Sequence, residues 1–443
     1  MATLVWFRHD LRLADNAALA AACASGEPVV PLFIWAPEEE APWAPGSAGR
    51  WWLGRSLVAL DARLRDAGSR LVVRAGGSLD ELREVARATG ARTVRWNRRL
   101  EPAFAQRDAR VAAALRADGL AVEQAPASLL VQPEAMRTSG GGPFRVFTPF
   151  WNALLARQDL GATLPAPARI AAPPRWPASH AVEDLALGSK AAWSDTWTPG
   201  EAAAQESLAT FIDEQLARYP AHRDRPDIDG TSRLSPHLRF GEIGPRQAWR
   251  AVSEAAGLDA RLARPAESFL RQLAWREFSY HLLHHFPHTP QQPLRPAFAR
   301  FAWRRDDEEF AAWREGRTGF PIVDAGMRQL ASTGWMHNRV RMVVGSFLVK
   351  DLLLPWIDGA RWFWEALVDA DLACNTLNWQ WVAGCGADAA PYFRILNPVL
   401  QARKFDPDGA YTRRWVPEPG PAIVDHALAR DRALAAFRRI RKE

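Results

Sequence analysis

The first 130 residues alternate two kinds of segment, and that alternation restricts the fold more than any other feature of the chain. "TLVWF" (3–7), "VVPLFIW" (29–35), "RLVVR" (70–74), "RTVRW" (92–96) and "LAVEQ" (120–124) are short, largely apolar runs that suit strands. Between them, "RWWLGRSLVALDARLRDAG" and "SLDELREVARATG" repeat apolar residues at spacings of three and four, the period of a half-buried helix. Each closes on a glycine, Gly68 and Gly90, the residue best able to take the left-handed turn after a helix. Strand and helix in this rhythm predict a doubly wound α/β domain with a parallel sheet over residues 1–130. No G-x-G-x-x-G follows the first strand, so an NAD-type fingerprint is absent. The glycines at 140–142 precede Pro143 and predict a turn rather than a phosphate loop.

The rhythm stops after residue 130. Residues 131–200 read as an interdomain connection, dense in proline, alanine and serine from 161 onward ("APARIAAPPRWPASH"). Residues 201–443 lose the strand signals and keep helical periodicity, which predicts a larger all-α domain. No apolar run is long enough to span a bilayer, and "MATLVWFRHDLRL" carries charge too early for a signal peptide, so a cytoplasmic protein is expected. The three cysteines, Cys23, Cys374 and Cys385, form no CxxC pair, which argues against disulfides, zinc and iron–sulfur clusters. A net charge of +6 suits a polyanionic partner such as nucleic acid. Only four of the 56 basic residues are lysine; codon bias is the bland cause, yet arginine forks suit phosphate well.

Several stretches could carry chemistry. "YHLLHHFPH" sets histidines at 281, 284, 285 and 288, but no carboxylate or thiolate completes a metal site, and a structural role is expected. "GTSRLSPHLRFGEI" (230–243) is a hydroxyl- and arginine-rich turn able to satisfy diphosphate oxygens, and Ser235 before Pro236 also reads as a helix N-cap. "STGWMHNRVRMVVGSFLVKDLLLPW" (332–356) predicts one long helix with Trp335, Asn338 and Met342 on one face and Arg341 nearby. That mixture makes a poor dry core but a good wall for a flat ligand with polar edges. Eight tryptophans fall between 303 and 381, and two of them close "DADLACNTLNWQW" (369–381). Packing is the ordinary role of any one of them.

Together these segments resemble the DNA photolyase/cryptochrome family, and most of all its class I cyclobutane pyrimidine dimer photolyases. The resemblance rests on "LVWFRHDLRLADNAAL", "GTSRLSPHLRFGEI", "WREF" (275–278), "GFPIVDAGMRQLASTGWMHNRVRM", "DADLACNTLNWQWVAGCGADAAPYFRILNP" and "KFDPDGAY", which follow one another along nearly the whole chain. It implies FAD, active as FADH⁻, held by Tyr219, the turn Thr231, Ser232, Arg233, Leu234 and Ser235, and by Arg276, Trp335, Asn338, Arg341, Asp369, Asp371 and Asn375. Arg341 is expected to pair with Asp369. Asn375 matches the position facing flavin N5, where asparagine favours repair over signalling. Trp379, Trp356 and Trp303 match an electron relay running from the flavin outward. The implied partner is DNA with a pyrimidine dimer flipped into a pocket of Gln272, Trp275, Asn338, Met342 and Trp381, with Arg223, Arg339 and Gln401 near the strand. A monomer acting without metal is expected.

The sequence departs from the family pattern twice. Gln272 stands where cyclobutane enzymes usually carry glutamate and (6-4) photolyases carry glutamine, which makes a (6-4) enzyme an alternative beside a cryptochrome-type receptor. Asn338 and Met342 nonetheless stand where (6-4) enzymes place histidines. Ala103 and Phe104 replace the Asn-Glu pair of folate-binding members, so a deazaflavin antenna is more plausible than folate.

Overall fold

A computed structural model of the chain describes residues 2–157, 160–188, 193–389 and 393–442. They form two compact units, one of residues 1–136, 154–214 and 232–266, the other of 137–153, 215–231 and 267–443. The units thus divide differently from limits at 130 and 200. Residues 241–242 explain part of the difference: Arg12 Nη1 donates to the Gly241 carbonyl (2.9 Å), and the buried Glu242 accepts from Trp52 Nε1 (3.1 Å) and Gly200 N–H (2.8 Å).

In the first unit β1 (Ala2–Phe7), β2 (Val29–Trp35), β3 (Val72–Ala75), β4 (Ala91–Asn97) and β5 (Ala121–Ala125) form one parallel sheet in the order β3-β2-β1-β4-β5. Every expected strand is present, β3 starting two residues later than its apolar run. β1 is central and buried throughout, with Thr3 paired to Val29 on one side and Thr93 on the other. The helices α1 (Ala17–Ala24), α2 (Ser47–Asp66), α3 (Ser78–Thr89) and α4 (Pro102–Ala117) connect the strands. Leu82 and Val85 of α3 and Val111 and Leu115 of α4 join Leu4, Trp6, Val30, Leu32 and Trp96 in one core. Burying each such side chain stabilises the fold by about 1.5–3 kcal/mol. Gly90 ends α3 at φ 62°, a conformation that glycine takes without strain. The proline-rich segment does more than connect: Val73 N–H donates to Ser179 Oγ (2.9 Å) and His180 N–H to the Val73 carbonyl (2.9 Å), which closes the free edge of β3.

In the second unit the functional motifs sit on α5 (Phe147–Leu155, as far as Ala153), α6 (Ala263–His285, from Glu267), α7 (Asn338–Ser346), α8 (Trp356–Ala366) and α9 (Leu372–Ala383). Residues 332–356 are not one helix. The helix Pro321–Thr333 stops at Gly334 (φ 65°), α7 starts anew after His337, and a π-helical turn, Phe347–Asp351, follows it. Leu353 at φ 58° then breaks the chain before Pro355. From Val343 to Leu354 the stretch is buried without interruption, and its continuous apolar content hid the break at Leu353. Thr138 N–H bonds the Gly142 carbonyl (2.9 Å), so the triple glycine is a turn. Among the described residues no helix is long and apolar enough to cross a membrane, and the three cysteines are free thiols.

Candidate functional site

Within the second unit, α6, α7 and α9 bring several of the expected residues into contact. Asp371 caps α9, accepting from Cys374 N–H (2.9 Å) on one oxygen and from the Tyr280 hydroxyl (2.7 Å) on the other. Arg276, one turn before Tyr280 on α6, lies 4.8 Å from the Tyr280 ring centre. Burial opposes its charge, but Tyr280, Asp371 and Glu277 outweigh that, and the guanidinium pKa rises. Arg276 therefore stays a cation deep in the unit. Tyr280 was missed in the sequence, although its spacing of four from Arg276 was visible.

α7 supplies the second group. Arg341 forks onto Asp369 (3.1 and 2.8 Å), the pairing the resemblance implied, and its Nε donates to the Met336 carbonyl (2.7 Å). Asn338 opens α7, whereas Trp335 precedes the helix and so does not share a helical face with Asn338 and Met342. His337 caps α7: its Nδ1 accepts from Arg339 N–H (3.2 Å), which leaves the proton on Nε2. Burial lowers the His337 pKa from 6.5 to about 4, with Asp224 opposing that shift and Arg341 and Arg339 adding to it. A lowered histidine pKa gives stability that is complete above pH 6.5 and lost as the unfolded chain protonates first between 6.5 and about 4. The loss amounts to roughly 3 kcal/mol. Thermal midpoints should therefore fall over this pH window, and His337→Gln should flatten the dependence.

α9 carries three candidate site residues of "DADLACNTLNWQW" (369–381): Asn375, Trp379 and Trp381. Asn375 is half-buried and donates to the Ala360 carbonyl of α8 (3.0 Å). Trp379, one turn on, is buried against Phe363 (ring centres 5.0 Å) and Trp313 (6.3 Å). A Cβ at Gly359 would overlap the Trp379 ring, so only glycine lets α8 approach it. Trp356 is also buried and Trp303 half-buried, with Phe301 4.4 Å from its ring centre. Exposure thus rises from Trp379 and Trp356 to Trp303. Trp381 is half-buried under Arg394 (5.1 Å).

The remaining residues fall into two groups. Trp275 and Gln272 lie half-buried on α6, where the Gln272 amide donates to the Ser268 carbonyl (3.2 Å). Arg339 pairs with Asp224 (2.9 Å) and lies 4.4 Å from the Phe405 ring centre, while Arg223 covers Tyr219 (5.5 Å). Gln401 is half-buried on the helix Pro398–Phe405. The turn Thr231–Ser235 is where the chain passes from the second unit to the first, with Arg233 at φ 49°. Ser235 is not the N-cap: the helix Ser235–Phe240 already includes it, Leu234 stands at the cap, and Leu238 N–H bonds the Leu234 carbonyl (2.9 Å). Pro236 fits either of the first two helical positions, which is why its register was ambiguous. His281 accepts from Phe144 N–H at Nε2 (3.0 Å), and among the described residues no cluster of three metal-ligating side chains occurs.

Comparison with known proteins decides the family. Residues 3–170 match the DNA photolyase family model and residues 269–421 match the FAD binding domain of DNA photolyase. A deoxyribodipyrimidine photo-lyase of Agrobacterium fabrum is 45% identical, across 99% of this chain and 98% of the relative. The chain belongs to the DNA photolyase/cryptochrome family. Arabidopsis thaliana cryptochrome-1 is 40% identical over 94% of this chain and 63% of its own length. A class III photolyase structure from Agrobacterium tumefaciens superposes with a TM-score of 0.95 at 44% identity, covering 100% of this chain and 98% of that one. The class I affiliation implied by the motifs is therefore not supported, since this match over the whole chain is to a class III photolyase. In this photolyase-family chain the FAD-binding domain spans most of the expected cofactor residues. Their chemistry fits a flavin dinucleotide: Arg276 is a persistent cation, Asp369 is paired with Arg341, Asp371 is hydrogen-bonded by Tyr280 and Cys374, and Asn375 carries a side-chain amide able to bond a polar ring edge.

Proposed function

We propose that the chain is a deoxyribodipyrimidine photolyase that splits cyclobutane pyrimidine dimers in DNA under near-UV or blue light. The observation that carries this reading is α9, where Asn375 and the buried Trp379 lie one turn apart and Trp381 remains half-exposed beyond them. Tyr219, Thr231–Ser235, Arg276, Trp335, Asn338, Arg341, Asp369, Asp371 and Asn375 would hold FAD, which as FADH⁻ would supply reversible, light-driven electron transfer to the dimer. Asp371 and Tyr280 hold Arg276 in place, and Asp369 holds Arg341. Trp303, Trp356 and Trp379 carry electrons inward from solvent. Trp275, Trp381, Met342, Asn338 and Gln272 wall the pocket for a flipped dimer, which leaves the duplex as in other enzymes that act on bases. Arg223, Arg339 and Gln401 lie along the strand.

The relatives named deoxyribodipyrimidine photo-lyase support repair, whereas Gln272 and the 40% identity with a plant cryptochrome keep a (6-4) photolyase and a photoreceptor as rivals. Reduced protein illuminated with DNA carrying each lesion separates them: cyclobutane dimers should revert and (6-4) products should not. Repair in darkness, or of neither lesion, would reject the assignment. Binding should also fall with salt, by about a thousandfold between roughly 50 and 200 mM if about six phosphates are contacted. A gel-shift affinity that ignores salt would exclude the phosphate contacts.

A second chromophore of whatever identity is in keeping with an archaeal photolyase structure from Sulfolobus tokodaii, 29% identical, which holds two FAD molecules. At the folate position here, Phe104 is buried between the guanidinium groups of Arg99 (4.5 Å) and Arg107 (4.8 Å), which favours a deazaflavin or another chromophore over folate. A monomeric, cytoplasmic protein completes the reading.

A further inference from the structure

The indole of Trp275 has one face already occupied. Phe147 of α5 lies parallel to it, with ring centres 3.7 Å apart and planes 7° from parallel. Phe147 is itself fixed from behind. Trp151 stacks 6.5 Å further along, and the Arg271 guanidinium lies 5.4 Å from the Phe147 ring and 5.3 Å from that of Trp151. Phe278 meets Phe147 edge-on (5.9 Å). The α6 contacts come from positions 271, 275 and 278, one stripe at helical spacing. Phe147 is buried, while Trp275 is only half-buried, so the column ends at an indole that still reaches solvent.

We propose that Phe147 is a positioning residue that fixes the plane of Trp275, so that this indole presents one flat face to one base of the lesion. The proposal rests on the reading of Trp275 as a lesion wall. An indole packed on one side by a rigid ring cannot tilt or swing, and a base stacking on its other side need not order it at the moment of binding. An aliphatic side chain in place of Phe147 would fill much of the space but give no plane.

The ratio of affinities for dimer-containing and undamaged strands tests this, measured on flavin-loaded protein with Phe147→Leu, Phe147→Tyr, Trp275→Ala and the double variant Phe147→Leu/Trp275→Ala. Phe147→Leu should lower the ratio about tenfold with flavin content and affinity for undamaged DNA kept, and Phe147→Tyr should restore it. The double variant should lose no more than Trp275→Ala alone, because Phe147 acts through Trp275. A wild-type ratio in Phe147→Leu, or additive losses in the double variant, would overturn the positioning role. Should Phe147→Leu fail to fold, a ratio in Phe147→Tyr as low as that of Trp275→Ala would overturn it too. A wild-type ratio in Trp275→Ala would instead remove the lesion-wall reading beneath it.

Discussion

With Trp303 replaced by phenylalanine, oxidised protein should no longer photoreduce its flavin, while protein reduced beforehand with dithionite should repair dimers as the unaltered chain does. Phenylalanine keeps the flat apolar shape, so the ring contact with Phe301 survives and the fold is undisturbed. What it removes is a ring that oxidises readily. Trp303 is half-buried, whereas Trp356 and Trp379 are buried, so Trp303 is the member that can meet an external donor. Bleaching of the flavin absorption under blue light with a thiol donor reads the first half, and recovery of intact pyrimidines reads the second. Loss of repair in the pre-reduced protein would show that Trp303 supports the fold or the pocket rather than the relay.

Asp371→Ala should be the most damaging single change at the site. It removes the cap of α9, at about 0.5–2 kcal/mol. It also removes the acceptor of the Tyr280 hydroxyl's 2.7 Å hydrogen bond, at about 1–3 kcal/mol more, for a combined loss of about 1.5–5 kcal/mol. The loss is concentrated on the helix that carries Asn375, Trp379 and Trp381. Flavin should therefore dissociate on gel filtration at temperatures where the unaltered protein retains it, and the thermal midpoint should drop. Asp371→Asn keeps a capping oxygen but removes the charge beside Arg276, and should fall between the two. Equal midpoints for the alanine and asparagine variants would mean that the charge, not the cap, is what α9 needs.

The α/β half was readable because its strands are short apolar runs and its helices amphipathic, so local pattern and tertiary environment agree. Residues 332–356 do not read this way: Gly334, His337 and Leu353 break a stretch that is buried on every side from Val343 to Leu354, and burial there erases periodicity. The pairing of Arg341 with Asp369 came from family resemblance, not from spacing, since 28 residues separate them. Tyr280 and His337 gave weaker signals. Each acts by holding a neighbour, and a hydroxyl or imidazole beside an arginine has no pattern of its own until the helices are in place. Phe147 lies more than a hundred residues before Trp275, in a stretch that reads as loop and short helix, and nothing in the sequence joins the two rings.

In the proposed relay, the gradation of burial from Trp379 to Trp303 also sets a direction of travel. An indole that has given up an electron is a cation, and a cation is least welcome where no water can turn its dipoles toward it. Trp379 sits between Phe363, Trp313 and the bare glycines of α7 and α8, a seat with nothing to reorient. At Trp303 water can gather round the charge as it arrives. Solvent access alone would therefore tilt that path downhill toward the surface and slow the return of the charge.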